Sequence, residues 1–153
     1  LIHEIDYAGC LFGWPVAVQA HVENMHRLGI ESEETADLMW RTTDGYVLSM
    51  RLDYLSTPPR RRVTAFGEQG TLEWDGVRNA VALFRDHEPA SEILSRQTRD
   101  EMMLAQAGAF IRSGAEAADS HLATGWDGAR ALAVCDAARG ATGSRRAERV
   151  EYP

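Results

Sequence analysis

Residues 36–55 read ADLMWRTTDGYVLSMRLDYL. Leu38 and Trp40 alternate with Asp37, Met39 and Arg41; after Asp44-Gly45, Tyr46, Leu48, Met50, Leu52 and Tyr54 alternate with Val47, Ser49, Arg51 and Asp53. Period-two patterning on both sides of an Asp-Gly turn specifies an antiparallel hairpin with one buried face. Upstream, Val16, Val18, Ala20 and Val22 continue the same rhythm and predict a long strand over 16–28. Before it, the apolar spacing of Ile2, Ile5, Cys10, Leu11 and Phe12, stopped by Gly13 and Pro15, predicts a short helix. Downstream of Pro58-Pro59, strands are expected at 60–66, 71–74 and 79–85, separated by Gly67-Glu68-Gln69-Gly70 and Asp75-Gly76. The rhythm becomes helical over 98–112, and an alanine-rich helix over 123–141 offers Leu132, Val134 and Cys135 for burial; a short strand is expected over 148–152. Glycine turns join antiparallel neighbours, whereas parallel partners need long crossovers. The expected fold is α+β: one domain with a mainly antiparallel open sheet of about six strands and helices packed on one face.

The chain has 153 residues, enough to bury roughly two thirds of its unfolded surface in one core. A net charge of −7 gives no cationic footprint for nucleic acid. There is no run of 18 apolar residues and no signal-peptide pattern, so no membrane partner and a cytoplasmic location are expected. All 16 basic residues other than histidine are arginine, so any catalytic lysine must come from elsewhere. Cys10 and Cys135, far apart and without a CxxC partner, read as small buried apolar residues. The helical pattern begins at the first residue, which suggests a piece excised from a longer protein.

His3, Glu4 and Asp6 form the densest ionisable group, and on a helix His3 and Asp6 are i,i+3 neighbours. An imidazole beside a carboxylate suits general acid/base chemistry near neutral pH. A solvated, acid-capped helix start is the plainer alternative. Arg60, Arg61 and Arg62 at a strand start can clamp a phosphate or carboxylate, or simply solvate an edge against aggregation. His21 and His26 fall on opposite strand faces by parity, and His87 and His121 lack a ligand spacing such as HExxH, so no metal is expected.

The run His3-Glu4-Ile5-Asp6-Tyr7, with Leu11-Phe12-Gly13 and Pro15-Val16 behind it, resembles the start of the C-terminal domain of the glucose-fructose oxidoreductase and inositol dehydrogenase family, Gfo/Idh/MocA. Asp44-Gly45, Asp53-Tyr54-Leu55, Arg61-Arg62, the 67–74 segment GEQGTLEW and the 124–129 segment TGWDGA follow in the family's order. The resemblance implies an NAD(P)-dependent oxidoreductase acting on a sugar, sugar derivative or cyclitol. In such enzymes an N-terminal Rossmann domain, absent from this chain, binds NAD or NADP and supplies a lysine. By motif, His3 matches the catalytic histidine and Asp6 a substrate-lining aspartate; Tyr54, Arg60 and Arg61 fall where substrate-facing loops lie. The resemblance also implies a homo-oligomer formed through the sheet face, and a fragment that is inactive by itself. The alternative from another class is a non-catalytic dimerisation or scaffold domain.

Overall fold

Residues 2–86, 88–113 and 122–153 are described by a computed structural model, and they divide into two compact units, 1–55 with 120–153 and 56–119. The expected loop at 114–120, His87 and His121 lie outside the described residues.

In the first unit, helix α1 (Ile2–Phe12) precedes strands β1 (Pro15–Glu23), β2 (Thr35–Thr42) and β3 (Val47–Asp53). Its later stretch adds a helix (Gly125–Ser144) and a two-residue strand (Glu148–Arg149), which are α3 and β8 in chain order. The sheet runs β3-β2-β1-β8, antiparallel throughout. Leu38, Trp40 and Leu52 point into the core as the alternation predicts. In β1 the parity slips. Pro15 pairs with Thr42 and Val18 with Trp40, so Val16 and Ala17 together oppose Arg41. That bulge turns Val16 outward to 56% exposure while Val18 is fully buried, correcting the expectation that both share one face.

Strand β1 also ends at Glu23 rather than running to Leu28. Asn24 accepts a hydrogen bond from the His26 amide at 2.8 Å and donates to the Ile30 carbonyl at 2.9 Å, while His26 adopts φ 54°. This side-chain turn diverts the backbone from the ladder. His26 therefore leaves the strand altogether, and its expected opposition to His21 by parity does not arise.

Helix α3 buries Ala131, Val134, Ala137, Ala138 and Ala141, whereas Leu132 is 57% exposed. Small side chains let the helix approach β1 closely, so the alanine stripe rather than Leu132 forms the seam. Thr124 and Asp127 form a reciprocal capping box at its start. The tail returns to the beginning of the unit: Val150 N–H donates to the Val16 carbonyl, and Tyr152 Oη donates to the Pro15 carbonyl at 2.5 Å.

The second unit contains β4 (Arg62–Gly67), β5 (Gly70–Asp75), β6 (Ala80–Arg85), β7 (Glu88–Leu94) and α2 (Arg99–Ser113). Its sheet is a simple meander, β4-β5-β6-β7. The α+β class and the antiparallel order are as read from the sequence, but eight described strands form two sheets instead of about six in one. The break coincides with the Thr57-Pro58-Pro59 segment, where the two prolines have no N–H to continue a ladder. Strand β7 went unread because its residues are all exposed and show no alternation; backbone pairing to β6 alone defines it. No helix among the described residues is long and apolar enough to cross a membrane.

Candidate active site

The helix that carries His3 and Asp6 is fixed by its opposite side. Ile5, Ala8 and Gly9 are buried, and the backbone ends at Gly13, whose φ of 100° suits glycine and whose N–H donates to the Gly9 carbonyl at 3.0 Å. The helical period then places His3, Asp6, Tyr7 and Cys10 in one stripe at i, i+3, i+4 and i+7. His3 and Cys10 are exposed; Asp6 and Tyr7 are half-buried.

Neither His3 nor Asp6 has a side-chain hydrogen bond or ion pair with another described residue, so both polar groups remain available to an incoming ligand. An exposed imidazole one turn from a half-buried carboxylate offers a proton acceptor and a hydroxyl ligand on one surface. Cys10 on this stripe is exposed, contrary to the expectation of a buried residue, because it lies on the helix face away from the core. Cys135 is partly buried, and desolvation pushes its thiol up.

The expected substrate contacts divide between the units. Tyr54, just beyond β3, is 53% exposed, and its backbone N–H donates to the Glu34 carbonyl. Arg60 and Arg61 belong to the second unit. There the Arg61 guanidinium lies 5.4 Å from the Trp74 ring centroid, and Arg62 pairs with Asp75 at 3.4 Å. These contacts give Arg61 and Arg62 work at the sheet edge; Arg60 is exposed. Asp75 is held low by the Arg78 amide first, then by the Val77 amide and Arg62, against the opposing effect of desolvation.

A buried carboxylate not singled out in the sequence organises the loop after β1. Glu34 is inaccessible to solvent, and its oxygens accept from Leu28 N–H at 2.6 Å and Arg27 N–H at 3.1 Å. Burial pushes its carboxyl up, but the amides of Leu28, Arg27 and Met25 and the charge of His26 outweigh it and hold the group low. Its neighbour Glu33 receives two hydrogen bonds from Arg139 of α3, at 2.6 and 3.2 Å, which lower it as well. The only available signal was the Glu33-Glu34 pair after a glycine-containing loop, which by itself does not distinguish a solvated acid from a buried one.

Among the described residues no group of three or more His, Cys, Asp and Glu side chains is gathered to hold a metal. Both described sheets are antiparallel, so the strand–glycine turn–helix of a parallel dinucleotide cradle does not occur in them.

The sequence pattern of the GFO/IDH/MocA C-terminal domain matches residues 1–73. No curated protein matches the sequence. Among solved structures, a levoglucosan dehydrogenase in complex with NADH superposes with a TM-score of 0.84 at 15% identity, covering 99% of this chain and 49% of that one. The UDP-N-acetylglucosamine 3-dehydrogenase GnnA of Acidithiobacillus ferrooxidans gives 0.75 at 20% identity, covering 94% and 45%. The WlbA dehydrogenase of Bordetella pertussis, in complex with NADH and UDP-GlcNAcA, gives 0.69 at 19%, covering 99% and 44%. The chain thus spans about half the length of these structures. Residues 1–73 thus match the Gfo/Idh/MocA C-terminal pattern, and the fold along nearly the whole chain is similar to that of these dehydrogenases.

Proposed function

We propose that the two units together are the C-terminal substrate-binding and oligomerisation domain of an NAD(P)-dependent oxidoreductase. Its substrate is a sugar, sugar derivative or cyclitol bearing a secondary hydroxyl. The observation that carries this reading is the stripe of His3 and Asp6 on a helix whose other face is buried against α3 and Trp14, within a fold similar to that of dehydrogenases solved with NADH. The antiparallel sheets offer no cradle for a dinucleotide, so the cofactor, NAD or NADP, is held by a Rossmann domain outside this sequence. The nicotinamide supplies hydride chemistry.

The residues of this chain manage the proton. A neutral His3 imidazole accepts the hydroxyl proton as the O–H bond breaks, and imidazolium returns it in the reverse direction. Asp6 accepts a hydrogen bond from a neighbouring hydroxyl and so fixes which carbon presents its hydrogen. Tyr54, Arg60 and Arg61 are peripheral substrate contacts. This chain by itself is inactive, and the location is cytoplasmic.

The proposed homo-oligomer has a specific surface. Cross-strand pairing in the second unit puts Val63, Trp74, Val81 and Ile93 in one row and Ala65, Leu72 and Leu83 in the next, on the same sheet face. Ile93 is 72% and Leu72 41% exposed, so this apolar face lacks a full cover.

The enzymatic role is tested in the protein extended to its natural start, by following nicotinamide absorbance over a panel of sugars and cyclitols. With a substrate found, His3→Asn should lower kcat about 10²-fold or more while leaving cofactor affinity intact, and Asp6→Asn should mainly raise KM. Unchanged turnover in His3→Asn would remove this residue from the reaction and favour the non-catalytic scaffold.

A further inference from the structure

Helix α3 ends against β1 in a cavity of about 250 Å³ lined by Gln19, Ala20, His21, Thr142, Arg145 and Arg146, with Ala141 behind them. Its walls are cationic in a chain of net charge −7. Neither arginine has a side-chain hydrogen bond or ion pair with another described residue, whereas nearby Arg149 pairs with Glu151 and Arg139 with Glu33. Glu23 contacts His21 at 3.3 Å and Glu148 contacts Ser144 at 3.4 Å, and neither carboxylate pairs with these two arginines.

Cations near a helix C-terminus interact favourably with its dipole, and this accounts for basic residues in the neighbourhood. It does not account for the backbone. Arg145 is the C-cap and adopts φ 58°, ψ 32°, the left-handed conformation for which glycine is the usual residue. A strained position occupied by a long cationic side chain, next to a second arginine and beside a cavity, points to a use for that side chain.

We propose that this cavity binds the phosphate group of a small phosphorylated metabolite, with Arg145 and Arg146 as its principal ligands and Gln19 at its side. Guanidinium forks match tetrahedral oxyanions and donate more than one hydrogen bond each. The floor of Ala20 and Ala141 leaves room for a few carbon atoms beside the phosphate. Thr142 is part of the wall rather than a ligand, because its Oγ1 already accepts from Val22 N–H at 3.0 Å and lies 3.0 Å from the Ala138 carbonyl. All of these residues belong to the first unit, and the site is independent of the His3 chemistry.

The test is titration of inorganic phosphate into the isotope-labelled full chain, read by amide NMR shifts, at an ionic strength held constant with sodium chloride. Saturable shifts confined to 19–21 and 142–146 are expected, with half-saturation at about millimolar concentration or below. Arg146→Gln and Arg145→Gly should each weaken binding about tenfold or more. Arg145→Gly also relaxes the left-handed backbone, so lost binding in that variant cannot be ascribed to misfolding. Linear shifts spread over exposed arginines such as Arg60 and Arg112, or saturation unchanged in Arg145→Gly, would overturn the proposal. Tighter saturation by succinate than by phosphate would likewise overturn it, by making the site a dicarboxylate site.

Discussion

A Cβ atom on Gly9 would stand 2.6 Å from Cδ2 of Trp14. The helix bearing His3 and Asp6 therefore lies directly on the indole at the start of β1, an approach that only the missing side chain permits. Trp14 in turn meets Tyr152 edge-on, with ring centroids 6.5 Å apart. Gly9→Ala must lift α1 from this contact and should cost about 1–3 kcal/mol, the range for overpacking. Urea denaturation would show it as a lower midpoint with an unchanged slope, and turnover in the extended protein should fall as α1 moves.

Tyr152 makes a separate prediction at alkaline pH. Desolvation raises its phenol to about 12, above its ordinary value, and its hydroxyl donates to the Pro15 carbonyl. The folded state thus favours the protonated form: stability is intact below the unfolded value of about 10 and is lost progressively as pH rises through about 12. Tyr152→Phe should be less stable at neutral pH by about 0.5–1.5 kcal/mol and should lose this part of the alkaline transition. Thermal melts of both proteins from neutral to alkaline pH check it; parallel curves would exclude Tyr152 as the titrating group.

Acid lability should trace to Glu34. Its folded carboxyl is held below the unfolded value, so its contribution is present above that value and fades as pH falls through the folded one. Glu34→Gln should therefore be destabilised at neutral pH, with the gap to the parent narrowing on acidification. A gap that stays constant down to acid pH would assign the effect to packing alone.

Much of this was legible beforehand. The alternation through Leu38, Trp40, Leu48, Met50 and Leu52 and the Asp44-Gly45 turn gave the central hairpin, since a half-buried strand and a tight turn each leave a local signature. Val16 was misplaced because a bulge depends on its partner strand, here Arg41 across from two residues. Leu132 is exposed because α3 packs through its alanines, and Cys10 because it lies on the face of α1 away from the core, neither of which composition alone reveals. The helical spacing of His3 and Asp6 was readable; the distribution of Tyr54 and Arg60 between separate units was not, because it depends on tertiary contacts. Glu34 was hidden for the opposite reason: its partners are backbone amides, which carry no sequence signal.

The apolar sheet face predicts an association phenotype. Leu72→Glu with Ile93→Glu puts charge in adjacent rows of the same face, and light scattering on the extended protein should then report monomers where the parent is an oligomer. An unchanged oligomer would move the interface elsewhere.

We propose that this chain is the substrate half of a nicotinamide-dependent oxidoreductase. The most direct test is a fluorescence titration with NADH and NADPH of the protein extended to its natural start, beside the chain described here. The account predicts micromolar binding of at least one nucleotide by the extended protein and none by the chain alone. Absence of binding by the extended protein would contradict it and leave α1 and its histidine as parts of a scaffold.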